Sequence, residues 1–261
     1  MGKFWIDKFK SQLSGPFQSI ETVVETGTFK GDSTRVMAKH FKKVFTIELD
    51  ENLYKSTKSQ VLSEGFENIE FIFGDSGEKI EELTKELTDP AIFFLDAHWS
   101  GDKSVDWQKS EWDGYGVNTA HLGESDKPSG EEQVPLNREM RAIADNFESY
   151  AVIYIDDLKN FDFWGKGKKD RAFKGEDYSH IDLRDFKKIL GHRIKEWINT
   201  DEQLIIKLDR KAISPEEEER QKKYYNTVLP RKTFIRNFVR VLKRIFVYPF
   251  KTLYWKIVKS F

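Results

Sequence analysis

The fold is decided by the stretch from Thr22 to Thr34, which reads TVVETGTFKGDST. Its β-branched start predicts a buried strand, and Asp32 with Ser33 and Thr34 predicts the N-terminus of a helix. Gly27 and Gly31 lie in the turn between them, where the absence of a Cβ lets the main chain approach a ligand closely. The free N–H groups of a helix start can receive ligand oxygens. The stretch therefore predicts strand, glycine turn and helix, with an ordinary connecting turn as the alternative to a ligand site.

Four further apolar runs follow, separated by helical patterns, and this alternation predicts a parallel sheet. Ligands bind at the carboxyl ends of the strands in such a sheet, so the residues that end each run are candidate site residues. A carboxylate about twenty residues after a glycine turn is placed to accept hydrogen bonds from a ribose diol. The four runs and their ends are 44–47 before Glu48, Leu49 and Asp50; 69–73 before Gly74, Asp75 and Ser76; 91–95 before Asp96, Ala97 and His98; and 151–155 before Asp156 and Asp157.

The acidic-x-Gly-x-x-x-Gly turn at Glu25 and the acidic end of the second run resemble the motifs of class I S-adenosylmethionine-dependent methyltransferases, over roughly residues 20–208. The resemblance implies an α/β fold with a Rossmann-like, doubly wound, mostly parallel sheet, closed by an antiparallel pair at 193–198 and 203–208. It also implies S-adenosylmethionine as cofactor. The residues implied to hold the cofactor are Glu25, Thr26, Gly27, Thr28, Gly31, Ser33, Glu48, Leu49, Asp75, Ser76 and Asp96.

The acceptor chemistry is predicted at the ends of the fourth and fifth runs. An alcohol that attacks a methyl group must lose its proton, either to a general base or after a divalent cation lowers the pKa of the hydroxyl. The Asp residues there resemble the metal ligands of cation-dependent O-methyltransferases, including those that act on sugar hydroxyls. That resemblance implies Mg²⁺ or Mn²⁺ on Asp96, Asp156 and Asp157. His98 departs from the sugar-directed pattern, and we predict Asp96 as a catalytic ligand and His98 as the catalytic base.

The acidic pair and His98 can also be interpreted as residues that stabilise the structure and take no part in chemistry. The Asp156–Asp157 pair is equally of the kind that caps a helix or pairs with lysines, and His98 is of the kind that hydrogen-bonds a main-chain carbonyl.

Composition limits the remaining choices. The chain has 261 residues, 38% of them hydrophobic, which predicts one substantial core with appendages. It has no cysteine, which excludes disulfides, thiolate metal sites and cysteine nucleophiles. The start of the sequence lacks the sustained apolar core of a secretory signal. We predict a cytoplasmic protein that associates peripherally with a membrane.

We divide the chain into an amphipathic N-terminal segment (1–19), a methyltransferase-like domain (20–213) and a charged linker with a basic tail (214–261). The apolar residues of the first segment favour packing on the domain over membrane contact. Within the domain, 101–132 breaks the pattern and predicts either a lid over the acceptor or disorder. The segment 159–180 interleaves aromatic and cationic residues, which suits a charged sugar but also single-stranded nucleic acid or a plain basic loop.

The tail is strongly basic. Residues 231–261 contain nine Lys and Arg and no Asp or Glu, and their apolar residues follow helical spacing. No run is long enough to span a bilayer, so the tail is predicted to lie on an anionic membrane surface. Docking onto the acidic body or onto a partner protein is the alternative.

The function predicted from these patterns is S-adenosylmethionine-dependent O-methylation, with help from a divalent cation, of a hydroxyl on a glycan, a glycolipid precursor or a related small molecule. We expect no nucleic-acid partner and leave a homo-oligomer open. One alternative is a non-catalytic, membrane-tethered binding module with the same fold. The other is a nicotinamide-dependent oxidoreductase, which the absence of Gly-x-Gly-x-x-Gly disfavours.

Overall fold

A seven-stranded sheet organises the residues that the computed structural model describes, which are 6–98, 130–171, 176–200 and 202–242. Its strand order is β3-β2-β1-β4-β5-β7-β6, with β1 to β5 parallel and β7 antiparallel to both of its neighbours. The strands are β1 Thr22–Thr26, β2 Lys43–Glu48, β3 Ile69–Phe73, β4 Ala91–Leu95, β5 Ala151–Ile155, β6 Ile194–Asn199 and β7 Leu204–Leu208. The predicted Rossmann-like, mostly parallel sheet with an antiparallel closing pair is confirmed.

Helices cover both faces of the sheet. They are α1 Ile6–Lys10, α2 Asp32–Ala38, α3 Glu51–Ser63, α4 Ser76–Glu86, α5 Leu136–Asn146, α6 Leu183–Leu190 and α7 Pro215–Leu242. Because side chains alternate along a strand, Val24, Phe93 and Ile153 enter the core beneath α4, α5 and α6, whereas Val23 and Val152 enter a second core beneath α1 and α2. Burial on both faces explains why β4 and β5 are continuously apolar.

Local sequence signals set where the helices begin. The pattern at 78–87 predicts a helix, and α4 begins two residues earlier because Asp75 serves as its N-cap and accepts a hydrogen bond from the Glu78 N–H at 3.1 Å. Asp50 caps α3 in the same way, with the Leu53 N–H at 2.8 Å.

The N-terminal segment packs on the domain within its described part. Phe9 and Leu13 are buried in the core beneath α1 and α2, and the Phe9 ring meets the Tyr154 ring edge-to-face at 5.4 Å. Between the two roles considered for residues 1–19, the structure shows packing on the sheet. Residues 1–5 lie outside the described ranges.

The linker and the first part of the tail form one helix rather than two. The sequence predicts a charged helix at 214–223 and a separate basic helix from Phe234, but α7 runs from Pro215 to Leu242 with Pro230 inside it. A proline costs a helix one hydrogen bond, and packing of the preceding turns on β6 offsets this: Leu229 is buried and the Tyr224 hydroxyl donates to the Lys195 carbonyl at 2.9 Å. No helix among the described residues is both long enough and apolar enough to cross a membrane. The division into body and tail stays a prediction.

Candidate active site

The strand order brings the predicted site residues to one edge of the sheet. β1 lies beside β4, and β4 beside β5, with Thr26 opposite Leu95 and Leu95 opposite Ile155. The residues that follow these strands therefore leave the sheet side by side. The order reverses between β1 and β4, which is the switch point where open α/β sheets bind ligands.

The glycines of the turn are required by its own packing. Gly27 has φ of +82°, and a Cβ there would lie 3.2 Å from the Ala97 Cα. Gly31 has φ of +73°, and its Cβ would lie 3.0 Å from a methyl group of Thr57 on α3. The space that each missing side chain leaves is thus filled by protein, and the predicted approach of a ligand to this main chain stays a prediction.

Glu25 ties the turn together from inside. Its carboxylate accepts hydrogen bonds from the hydroxyls of Thr34 at 2.6 Å and Thr46 at 2.7 Å, and the Thr28 and Thr46 hydroxyl oxygens lie 2.6 Å apart. Burial raises the Glu25 pKa to about 7, although the two hydroxyls lower it in part. Glu25 is almost fully buried, so in this arrangement it holds β1, β2 and α2 in register.

Glu48 holds the other side of the same turn. Its two carboxylate oxygens accept the main-chain N–H groups of Phe29 at 2.8 Å and Asp50 at 2.9 Å. Burial raises the Glu48 pKa, and these two hydrogen bonds offset part of the rise. A carboxylate oxygen has a second lone pair, so the predicted acceptance of ribose hydroxyls remains open to Glu48. The neighbouring Leu49 is 63% exposed, which offers an apolar contact at this strand end.

The end of β3 is bound to α5 through Arg138, a residue to which no sequence motif pointed. Asp75 caps α4 with one oxygen and accepts a hydrogen bond from Arg138 of α5 with the other, at 2.8 Å. Ser76 follows as the first residue of α4 and is buried, and Ser33 lies in the first turn of α2. The ion pair between Asp75 and Arg138 therefore joins the end of β3 to α5.

Asp96, His98 and Asp157 form the cluster at the ends of β4 and β5. One ligand atom from each lies within 4.8 Å of the others. The His98 Nδ1 is 3.1 Å from the Asp96 carbonyl oxygen, and its Nε2 is 3.6 Å from Oδ2 of Asp157 and 3.6 Å from Oε1 of Glu176. A carbonyl only accepts, so Nδ1 carries the proton, and in a neutral ring the Nε2 lone pair faces two carboxylates. That arrangement favours a proton or a cation between them.

The metal set predicted from the sequence differs from this cluster in one member. The prediction groups Asp156 with Asp96 and Asp157, whereas the structure groups His98 with them. Successive residues that leave a strand point to different sides, and the left-handed Asp157 (φ 59°) reinforces the divergence. The Asp156 carboxylate accepts a hydrogen bond from the Gln203 side chain and lines the adjoining cavity.

The carboxylates of the cluster ionise differently. Burial and the nearby charges of Asp156 and Asp157 raise the Asp96 pKa well above its usual value. Burial also acts on Asp157, but His98 and the Lys159 ammonium at 2.8 Å outweigh it and lower the Asp157 pKa. Two carboxylates and an imidazole are donors that divalent cations accept, and a cation would relieve the repulsion that adds to the effect of burial on the Asp96 pKa. The donor set therefore fits the predicted metal.

Two buried acids of the site were not predicted from the sequence. Glu139 lies in the first turn of α5 and lines the cavity beside Asp96, and Glu176 approaches His98; each is 1% exposed. Glu139 did carry a signal, because it lies on the same helix face as Leu136 and Ile143, where an acid is unexpected. Glu176 lies in an irregular segment and carried none.

The aromatic-cationic segment 159–180 divides between core and surface. Phe161 and Tyr178 are buried, with rings edge-to-face at 5.5 Å, whereas Phe163 and Trp164 are 81% and 71% exposed. The predicted lid at 101–132 lies outside the described residues apart from its last three.

Comparisons with known proteins assign no reaction to this chain. No protein-family model matches the chain. An uncharacterized protein of Methanocaldococcus jannaschii is 35% identical over 89 residues, which are 32% of this chain and 34% of that protein. The chain thus spans about a third of the length of the curated relative that it matches.

Two solved structures are among those to which the chain is similar. A Staphylococcus aureus protein described as a "putative caffeoyl-CoA O-methyltransferase" is 13% identical with a TM-score of 0.49, over 80% of this chain and 84% of that one. A methyltransferase from Aquifex aeolicus described as SAM-dependent is 15% identical with a TM-score of 0.39, over 72% and 81%. At these values neither structure assigns a reaction to this chain.

The strand order and the strand-end residues settle the fold on their own. The acidic ends of β1, β2, β4 and β5 and the antiparallel closing pair lie where the sequence resemblance predicted them. The chain has the Rossmann-like, mostly parallel fold with an antiparallel closing pair that the sequence resemblance implied.

Proposed function

We propose that this protein transfers a methyl group from S-adenosylmethionine to a hydroxyl group, with assistance from a divalent cation. The observation that carries the proposal is that the glycine turn of β1, the carboxylate of Glu48 and the cluster of Asp96, His98 and Asp157 share one edge of the sheet. A nucleoside at the first two and an acceptor at the third would meet at the switch point between β1 and β4.

The reaction is an in-line displacement. A lone pair of the hydroxyl oxygen attacks the methyl carbon, the carbon–sulfur bond breaks with its electrons going to sulfur, and the hydroxyl proton passes to a base. The products are a methyl ether and S-adenosylhomocysteine. Alignment of the oxygen with the carbon–sulfur bond is the main task of the protein, because positioning accounts for much of the rate of such displacements.

His98 is placed to take the proton. Its Nδ1–H donates to the Asp96 carbonyl, which fixes the ring and leaves Nε2 as an acceptor. Asp96 and Asp157 would hold Mg²⁺ or Mn²⁺ beside it. The alternative is that His98 is not the base but a third ligand of the cation. A bound cation supplies a lowered pKa for the acceptor hydroxyl. Asp156 lies one residue from the cluster and shapes the cavity wall.

A glycan, a glycolipid precursor or a related small molecule is the acceptor class that we favour. The segment that leaves β5 supports it, because Phe163 and Trp164 form an exposed pair with ring centroids 5.2 Å apart. An exposed aromatic face beside lysines suits the apolar face of a sugar that carries a negative group.

We further propose that the second half of α7 binds an anionic membrane surface from the cytoplasmic side. Phe234, Ile235 and Phe238 are each more than half exposed, and the Phe234 and Phe238 rings stack at 6.2 Å. Lys232 and Arg236 lie on the opposite side of the helix. Exposed aromatic residues with cations along one helix match the headgroup region of anionic lipids.

Calorimetry with S-adenosylmethionine and with NAD tests the proposal against the oxidoreductase. We expect binding of S-adenosylmethionine alone, and a protein that binds NAD alone refutes the methyltransferase. Transfer of a labelled methyl group to sugar acceptors, with Mg²⁺ and with chelator, then separates an enzyme from a binding module. Cofactor binding with no transfer to any acceptor class would favour the module.

A further inference from the structure

Glu139 is a buried acid whose pKa burial raises to about 7. It lies in the first turn of α5, on the helix face that packs against the sheet, and is 1% exposed. Its carboxylate accepts hydrogen bonds from the hydroxyls of Ser76 and Thr26. A buried acid is costly unless it has partners, so a position of this kind requires a reason.

One oxygen of this carboxylate lacks a donor. Among residues 6–98, 130–171, 176–200 and 202–242, no group donates a hydrogen bond to Oε1 of Glu139, although it is fully buried. Leaving a buried acceptor unmatched costs a protein stability, and such groups in native structures commonly mark binding sites. The ion pair of Arg138 with Asp75 directs the neighbouring cation away from it.

The unmatched oxygen lies at the cofactor edge of the sheet. Glu139 lines a cavity together with Asp96, Ala97 and Asp156, beneath the ends of β4 and β5. Thr26 links Glu139 to β1, since its hydroxyl also accepts the N–H groups of Asp96 and Ala97, each at 3.2 Å. Glu139 therefore lies below the crevice between β1 and β4, where a cofactor would bind.

The acids around the cavity select the chemistry of its occupant. Glu139, Asp96 and Asp156 all line it, and no Lys or Arg of the described residues does so. A compact cation with several N–H donors suits such a lining.

We propose that Glu139 binds the α-ammonium group of the amino-acid part of S-adenosylmethionine, through Oε1. This inference rests on the proposed function and adds a binding residue that the sequence motifs do not contain. The Glu139 carboxylate, braced by Ser76 and Thr26, acts as a fixed acceptor for the cofactor end that lies over β4.

Calorimetry with two ligands tests the assignment. S-Adenosylhomocysteine carries the ammonium group, and its deaminated analogue has hydrogen in place of the amino group. The substitution and the change of ligand form a thermodynamic cycle. Glu139→Gln should weaken the binding of S-adenosylhomocysteine by about 10- to 100-fold, the contribution of a charged hydrogen bond, and should leave the binding of the deaminated analogue unchanged. Glu139→Asp keeps the charge but shortens the side chain, and it should give an intermediate loss. Glu132→Gln, an exposed acid seven residues earlier, is the control and should bind as the wild type does.

The outcomes separate this inference from the function on which it rests. Equal losses for both ligands, or no loss for either, would overturn the role of Glu139 while the methyltransferase proposal stands. A wild-type protein that binds neither S-adenosylmethionine nor S-adenosylhomocysteine would overturn both. If Glu139→Gln fails to fold, as judged by thermal unfolding, the comparison of Glu139→Asp with the wild type decides by the same criterion.

Discussion

The Nε2 atom of His98 lies 3.6 Å from Oδ2 of Asp157, with no hydrogen bond at that distance. Nδ1 of the same ring is engaged by the Asp96 carbonyl, so the ring cannot turn to place its proton on the Asp157 side without losing that bond. The gap between a nitrogen lone pair and an ionised carboxylate is therefore a place for a cation or a shared proton.

Mg²⁺ should stabilise the folded protein through this cluster. A ligand at about 100 times its Kd adds about 2.7 kcal/mol to the free energy of unfolding, and thermal unfolding with and without Mg²⁺ measures the shift. Asp157→Asn should remove the shift because it deletes a charged ligand. Asp89→Asn changes an exposed acid outside the cluster, and this variant should keep the shift. A shift of the same size in Asp157→Asn would place the cation elsewhere.

Turnover should depend on Asp157 more than on Asp156. Asp157 belongs to the cluster, whereas Asp156 is held by Gln203, so Asp157→Ala should abolish the metal-stimulated rate, a loss of about 10²-fold or more, and Asp156→Ala should cost less. Initial rates of methyl transfer with Mg²⁺ and with chelator measure both. Full activity in chelator would mean that His98 acts alone as the base. Equal losses in the two variants would support the metal set predicted from the sequence.

Glu25→Gln should flatten the dependence of stability on pH. The folded-state pKa of Glu25 is raised to about 7, above the unfolded value near 4.5, so the folded protein binds this proton more tightly. Its stabilising contribution is complete below pH 4.5 and is lost as pH rises through 7. The loss between pH 5 and 8 is roughly 2–3 kcal/mol.

Urea unfolding of wild type and Glu25→Gln at both pH values measures this difference. Glutamine keeps hydrogen-bonding groups near Thr34 and Thr46 but does not titrate. Parallel pH profiles for the two proteins would show that the carboxyl ionises freely in the folded state.

Gly27→Ala should destabilise the protein more than Gly65→Ala. Both glycines have positive φ, at +82° and +89°, so both substitutions carry a similar main-chain cost of about 1 kcal/mol. Only at Gly27 does the new methyl group also meet main-chain atoms, at 3.2 Å, whereas no atom of the described chain lies within 4 Å at Gly65. Urea unfolding compares the two, and an equal loss would show that the turn can move away from the end of β4.

The exposed half of α7 should partition onto anionic vesicles. Phe234→Ser with Phe238→Ser should reduce pelleting with phosphatidylserine vesicles severalfold, because each buried aromatic ring contributes on the order of 2 kcal/mol. Truncation at Arg231 should abolish pelleting. Leu62→Ser, which changes an exposed residue of α3, is the matched control. Equal pelleting of full-length and truncated protein would instead favour a protein partner for this helix.

Most of the fold was predictable because its signals are local. The strands at 91–95 and 151–155 match their apolar runs residue for residue, since strands buried on both faces leave uninterrupted apolar sequence. The length of α7 was not predictable in this way. Its continuity through Pro230 depends on Tyr224 and Leu229 packing against β6, a contact between distant parts of the chain.

The site residues show the same division between local signals and contacts of distant parts of the chain. The sequence determined which acids stand at strand ends, because a chain that alternates strand and helix must return each strand to the same edge of a parallel sheet. The tertiary structure alone decided what each acid touches: Glu25 inward to Thr34 and Thr46, His98 toward Asp157, and Glu139 from a helix into the same crevice. The physical reason is that direction and burial of a side chain depend on neighbours far away in sequence, whereas the type and order of the elements depend on residues a few positions apart.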